Sequence, residues 1–237
     1  MKTYCISDVH GHYDNLNRFV ATLNEDDKVY VLGDVIDKGK ETIKCLDLIM
    51  HDRRFAMLLG NHEYMMFQFL MADNPYEESL ARTQWLGYNS GYDTYGQYEK
   101  LSKDKKEEIL TYIRNLPLNI PELRINDKTF YLVHSNPKKD VQYHLIDIEN
   151  DDDLIVSFVW DRVGPGYSFK MDNKIIIAGH TPVQNYNMFY VEEIKPVYDG
   201  EDISCAHYID IDGGLAADLE NSRLIALCLD DLTYKLY

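Results

Sequence analysis

Five short stretches of this sequence carry side chains that could work together on a metal ion: Asp8-Val-His10-Gly11, Gly33-Asp34-Val-Ile-Asp37-Lys38-Gly39, Gly60-Asn61-His62-Glu63, Val133-His134 and Gly179-His180-Thr181-Pro182. They offer carboxylates, imidazoles and one amide, and no thiol. Hard oxygen ligands mixed with borderline imidazole nitrogen suit manganese, iron or zinc better than calcium, which takes all-oxygen cages. Six such side chains, Asp8, His10, Asp34, Asn61, His134 and His180, exceed what one ion with an open position needs. They fit a pair of divalent ions roughly 3.5–4 Å apart, bridged by one carboxylate and a hydroxide. Such a pair lowers the pKa of the shared water and holds nucleophile and phosphoryl oxygen for in-line displacement. Taken alone, each stretch has a plainer reading. Asp34 could simply cap the helix that begins near Glu41, and a single strand-end histidine is usually structural.

For the five stretches to converge, each must end a strand that shares an edge with the others. Residues 3–7, 29–32 and 55–59 are short apolar runs that stop at a glycine or a polar cluster. Between them, Leu16, Phe19, Val20 and Leu23, and then Ile43, Leu46, Leu48 and Ile49, recur at helical spacing. Strand, helix, strand in alternation predicts parallel strands joined by right-handed crossovers, with all their carboxyl ends at one edge. Gly33 lets the backbone turn where a side chain would obstruct a ligand. The pattern resumes at residues 130–133 and 174–178. Residues 208–211 and 224–229, separated by Gly213-Gly214, read as antiparallel strands. Residues 64–126 differ in character and predict a helical insertion that roofs part of the site. Its Met65, Met66, Phe67, Phe69, Leu70 and Met71 read as core. A polar, Tyr- and Gly-rich connection and a charged helix over 102–115 follow, closed by Pro117 and Pro121. The fold class predicted is α/β (α+β), one domain over 1–237.

Composition excludes several partners. A 237-residue chain with 45% hydrophobic residues buries a substantial core. A formal net charge of −16 argues against nucleic acid, whose binding rests on neutralising phosphates with Lys and Arg. No apolar run reaches membrane-helix length, so no membrane partner is expected. The sequence moves from Met1 directly into strand-like residues without a basic, then apolar leader, which predicts a cytoplasmic protein. Cys5, Cys45, Cys205 and Cys228 have no CxxC spacing and read as buried small hydrophobes in a reducing compartment.

In their order along the chain, the five motifs resemble those of the calcineurin-like metallophosphoesterases, and the tail Ile209-Asp-Ile-Asp-Gly-Gly is also similar. The resemblance is strongest to the branch holding the phosphoprotein phosphatases, the small bacteriophage and bacterial serine/threonine phosphatases, and the symmetrical diadenosine tetraphosphatases. It implies a two-sheet β-sandwich core flanked by helices. It makes Asp8, His10 and Asp34 ligands of one ion and Asp34, Asn61, His134 and His180 ligands of a second, manganese first, with iron or zinc as alternatives. His62 becomes the general acid that protonates the leaving alkoxide, oriented by Asp37, a role suited to an imidazole pKa near neutral. Arg162 in Trp160-Asp-Arg162, together with Lys38 and Asn61, would hold phosphate. Asp14, Glu63 and Thr181 are expected to orient the ligating imidazoles. His12, His51, His144 and His207 match no motif.

Two positions depart from the family pattern. Ser7 stands where glycine is usual, a change expected to be mild. Lys38 replaces an arginine, keeping the charge and giving up the planar fork. The implied activity is hydrolysis of phosphomonoesters in the manner of a serine/threonine protein phosphatase, by a metal-bridging hydroxide. The substrate would be a phosphorylated protein, or a small phosphoester or nucleotide. The alternative is a symmetrical dinucleoside polyphosphate hydrolase, though those enzymes tend to lack the acid retained here at Asp37. A third reading is a metal-binding regulatory module with little catalysis.

Overall fold

Two five-stranded sheets form the centre of the computed structural model, which describes residues 1–138, 141–162, 171–186, 194–217 and 220–237. The chain starts with β1 (Thr3–Ile6), β2 (Lys28–Val31) and β3 (Phe55–Met57), linked by α1 (Tyr13–Val20) and α2 (Thr42–His51). These three strands are parallel, with Ile6 opposite Val31 and Val31 opposite Met57. Their carboxyl ends therefore lie side by side, as the strand-helix alternation requires. The N-cap of α2 is Glu41 and not Asp34, so capping does not account for Asp34.

Helices α3 (Asn61–Leu70) and α4 (Pro75–Arg82), a π-helical turn over Thr83–Tyr88, α5 (Tyr92–Tyr98) and α6 (Lys103–Arg114) follow. The helical stretch then ends, earlier than the predicted boundary at 126. Residues Asn119–Ile125 form β4, antiparallel to β5 (Lys128–Val133), with a register shift between Ile120 and Leu123. Pro121 lies inside that shift. A proline has no N–H for a ladder and is tolerated at a bulge on an edge strand, which is where β4 runs.

Helices α7 (Leu145–Ile148) and α8 (Asp152–Val159) lead to β6 (Ile175–Ala178), β7 (Val197–Tyr198) and β8 (Tyr208–Asp210), giving the sheet order β4-β5-β6-β8-β7. The chain then returns to the first sheet as β9 (Ile225–Cys228) and β10 (Tyr234–Leu236), in the order β10-β9-β1-β2-β3. The two tail segments are strands, but they do not pair with one another as the sequence led us to expect. β8 lies parallel to β6, and β9 lies antiparallel to β1 in the other sheet. Alternation of side chains reports a half-buried strand and says nothing about its neighbour.

The period of two along the strands explains the layering. Cys5, Phe130, Leu132, Ile177, Ile209, Ile225 and Leu227 belong to one buried cluster drawn from both sheets, so they face inward. Ile6, Tyr131, Val133, Ile176, Ala178 and Ala226 point the other way, into a second cluster shared with Leu16, Phe19, Leu46 and Ile49 of the helices. The result is a sandwich with helices on its outer faces. Cys5, Cys45 and Cys228 are buried as expected, whereas Cys205 is exposed.

Candidate metal and acid–base site

The site assembles at the carboxyl ends of β1, β2, β5 and β6 and at the first turn of α3. Its backbone is unusual. Asp8, His10, Asp34, Asp37, Lys38 and His180 all adopt the left-handed region, with φ between 45° and 70°. Non-glycine residues enter that region at a cost that surrounding structure must offset. Here the neighbouring loops hold one another. The N–H groups of His10 and Gly11 donate to Asp34 O and Val35 O at 3.0 and 2.8 Å, and Gly39 N–H donates to His10 O at 2.8 Å. Fully buried Glu63 accepts from the N–H groups of Asp34, Val35, Ile36 and Gly60, at 2.9, 2.9, 3.2 and 3.2 Å. Gly33 is needed for two reasons. Its φ is +102°, and a Cβ there would come within 2.6 Å of the Gly60 backbone and 3.0 Å of His134 Nδ1.

The imidazoles are aimed by backbone carbonyls. His10 Nδ1 lies 3.1 Å from Ile36 O and His134 Nδ1 lies 2.7 Å from Leu32 O, so each Nδ1 carries the proton and each Nε2 presents a bare lone pair. His180 uses its Nε2 on Trp160 O at 3.2 Å, which leaves Nδ1 for a ligand. Asp34 is central. Its Oδ2 lies 3.7 Å from His10 Nε2, 3.5 Å from His134 Nε2 and 4.0 Å from His62 Nε2, and its Oδ1 accepts the His62 N–H at 3.0 Å. Asp8 Oδ1 stands 3.7 Å from His10 Nε2, while its Oδ2 accepts the His180 N–H at 3.0 Å. Asn61 Oδ1 faces His134 Nε2 at 3.1 Å. These atoms are nearly all acceptors, converging in a buried space with few protons to share. That donor set fits divalent cations, with Asp34 common to both of its tight groups, Asp34-His134-His180 and His10-Asp34-His62.

The electrostatics agree. Burial pushes His134 down, and it lowers His180 to about 2, helped by His134 and Arg162, so both rings are neutral and able to ligate. Burial drives Asp34 well above the usual carboxylate range, although His10 pulls the other way. At His10 burial is outweighed by Asp8 and Asp34, and its pKa rises to about 8. The site thus draws positive charge to the position between these carboxylates.

All six proposed ligands are brought together and buried. His62 Nδ1 lies 2.6 Å from Asp37 Oδ2, the pairing expected of an oriented imidazole. Its surroundings in the metal-free site act on its acidity. Burial lowers its pKa to about 4, against the opposing effect of its hydrogen bond to Asp37. Arg162 reaches the site edge, where its Nη1 donates to His180 O at 2.7 Å and Thr181 Oγ1 at 3.2 Å. Lys38 is exposed at Nζ and lies 3.4 Å from Ser90 Oγ. Glu63 binds backbone amides through both carboxylate oxygens, while Asp14 is exposed in the first turn of α1. Ser7 does more than substitute for a glycine, because its hydroxyl donates to Asp8 Oδ2. His51, His144 and His207 pair with the surface acids Glu108, Asp147 and Asp199.

Two residues of the site escaped the sequence reading. Trp85 Nε1 donates to Asp37 Oδ2 at 2.8 Å, and Thr94 Oγ1 donates to Asp37 Oδ1 at 2.5 Å. They lie 48 and 57 residues beyond Asp37 with no fixed motif around them, so no local signal marks them.

Comparison with known proteins is consistent with this geometry. Residues 1–209 match the calcineurin-like phosphoesterase family. A protein of Delftia acidovorans named symmetrical bis(5'-nucleosyl)-tetraphosphatase is 26% identical over 139 residues, 57% of this chain and 44% of that protein. The chain spans less than two thirds of the length of the curated relatives it matches. A metallophosphoesterase structure from Sphaerobacter thermophilus is 18% identical with a TM-score of 0.59, covering 100% of this chain and 88% of that one. A protein serine/threonine phosphatase structure from Saccharomyces cerevisiae is 14% identical with a TM-score of 0.57, covering 100% and 79%. Both structures share the fold.

Proposed function

Because this chain belongs to the calcineurin-like phosphoesterases, we propose that it hydrolyses phosphomonoesters in the manner of a serine/threonine protein phosphatase. One observation carries the reading: His62, fixed through Nδ1 by Asp37 at 2.6 Å, turns its Nε2 toward the Asp34 cluster, 4.0 Å from Asp34 Oδ2. An imidazole so placed can give a proton to an alkoxide leaving from phosphorus held at that cluster.

Asp8, His10, Asp34, Asn61, His134 and His180 would hold two divalent ions, manganese first. Those ions would supply Lewis acidity at the phosphoryl group and an activated water. The remaining work belongs to the chain. Arg162, anchored by one Nη1, shows no other hydrogen-bond partner among the described residues and can meet phosphoryl oxygens with its remaining N–H groups, and Lys38 adds a point charge. With its pKa lowered to about 4, free His62 is neutral at pH 7. A phosphoester dianion brings negative charge beside the ring and raises that pKa, so His62 takes its proton as substrate binds. As a water oxygen bonds to phosphorus, the P–O bond to the leaving group breaks and the proton passes from Nε2 to the leaving oxygen.

The second reading, symmetrical dinucleoside polyphosphate hydrolysis, is favoured by the name of the Delftia acidovorans relative and by Lys38, whose point charge binds phosphate with less directional control. Manganese-loaded protein should be given a phosphoserine peptide, p-nitrophenyl phosphate and diadenosine tetraphosphate. Preference for the two monoesters supports the first reading; symmetrical cleavage of the dinucleotide in preference to both replaces it with the second. Metal binding without turnover of any ester would leave a regulatory module. We place the protein in the cytoplasm, a reading supported by its four free cysteines. Among the described residues no helix is long and apolar enough to cross a membrane.

A further inference from the structure

We propose that Trp85 and Thr94, supplied by the helices that follow α3, are positioning residues for proton transfer: they hold the Asp37 carboxylate in the one orientation that aims His62. This rests on the reading of His62 as the acid.

Three donors converge on Asp37, which is completely buried. His62 Nδ1 at 2.6 Å and Trp85 Nε1 at 2.8 Å share Oδ2, and Thr94 Oγ1 takes Oδ1 at 2.5 Å. Thr94 Oγ1 also accepts the N–H of Asp37 at 3.1 Å, so the hydroxyl clasps this residue at both ends while its backbone sits at φ 70°. A carboxylate that met only the imidazole could swing about its Cβ–Cγ bond and carry the ring with it. With both oxygens bound from fixed elements, its plane is set, and so is the direction of Nε2.

The indole is placed for this contact. Trp85 is fully buried and lies in the π-helical turn, a geometry that occurs often at functional sites. Phe69 and Tyr95 pack against it, at ring-centroid separations of 5.5 and 6.2 Å. Gly91 lets the backbone pass directly beside the ring: a Cβ there would stand 2.5 Å from Nε1. The same segment grips the rest of the loop, with Ser90 Oγ at Lys38 Nζ and Gln97 Nε2 donating to Lys40 O at 3.0 Å. Trp85 and Thr94 therefore make the helical segment part of the acid–base machinery without touching the reacting atoms.

The test uses the leaving group. An alkoxide needs a proton to leave and p-nitrophenolate does not, so a fault in aiming the acid slows phosphoserine-peptide turnover selectively. In manganese-loaded Trp85→Phe and Thr94→Val, the ratio of kcat for the peptide to kcat for p-nitrophenyl phosphate should fall about tenfold, with KM for each substrate within about twofold of wild type. Thr94→Ser, which keeps the hydroxyl, should restore the ratio. A second readout needs no turnover: in metal-free protein the downfield resonance of the His62 Nδ1 proton should move or broaden in both variants and stay put in Thr94→Ser. Equal losses on both substrates, a ratio that does not change, or an unmoved Nδ1 resonance would overturn the proposal. If wild-type protein turned over neither ester, the reading of His62 as acid would fail, and the resonance would still decide whether Trp85 and Thr94 position it.

Discussion

Asn61 Oδ1 faces His134 Nε2 at 3.1 Å, and the only proton on that ring is already given to Leu32 O. Two lone pairs opposed in a buried space repel one another until a cation lies between them. Divalent ions should therefore stabilise the protein strongly. Manganese at about a hundred times its Kd contributes about 2.7 kcal/mol, which for a chain of this size raises Tm by roughly 5–10 °C. Excess EDTA should reverse the shift, and Asn61→Ala and His134→Ala should each weaken it. A Tm indifferent to manganese and to chelator would remove the metal reading.

If His62 gives the leaving-group proton, His62→Asn should lower kcat for an alkyl phosphate by roughly 10²–10⁴-fold. Stopped assays across pH add a sign. An acid must be protonated, so kcat falls as pH rises through the pKa of His62 in the complex. That limb should lie above the value of about 4 held by the free site, because bound phosphate raises it. In His62→Asn the limb should vanish; a limb that persists assigns the proton to another group.

Arg162 spends one Nη1 on His180 O and Thr181 Oγ1, and among the described residues its other donors have no partner, which suits them to phosphate. Arg162→Lys should raise KM for phosphoesters by about 10–100-fold, the equivalent of a charge-assisted hydrogen bond worth about 1.5–3 kcal/mol. Lys38→Arg should act in the opposite direction, lowering KM a few-fold by restoring a fork. Equal KM values in all three proteins would show that neither side chain meets the phosphate.

Asp210 is fully buried and accepts from Tyr186 Oη at 2.7 Å and from Asp212 N–H at 2.9 Å. Burial first, and then Asp212, raises its pKa well above the usual 3.8. The folded state therefore binds this proton more tightly than the unfolded chain does. Its contribution to stability is present below pH 3.8 and is lost as pH rises through the elevated folded value. In EDTA-treated protein the urea midpoint of wild type should fall relative to that of Asp210→Asn as pH rises above 3.8. A wild-type midpoint that climbs relative to that of Asp210→Asn would contradict the assignment.

Much of the site could be read directly from the chain. Asp8, His10, Asp34, Asn61, His134 and His180 each follow an apolar strand, and strand-helix alternation by itself obliges the first three such ends to meet at one edge. The two residues it missed near the acid, Trp85 and Thr94, reach Asp37 across 48 and 57 positions from helices whose spacing records only core packing. Glu63 could be seen as a neighbour of the site, but its partners are backbone amides, which are alike in every sequence.

Sequence by itself determined the residue types and their order, because ligand chemistry depends on which atoms are present and period-two apolar runs specify strands. Tertiary structure alone decided the sheet assignment of the tail, the strand at 119–125 and the left-handed backbone at Asp8, Asp34, Asp37 and His180. It also decided the acidity of His62. A pKa depends on how much water a fold removes from around a ring and on which charges it leaves behind, and neither is a property of the residue.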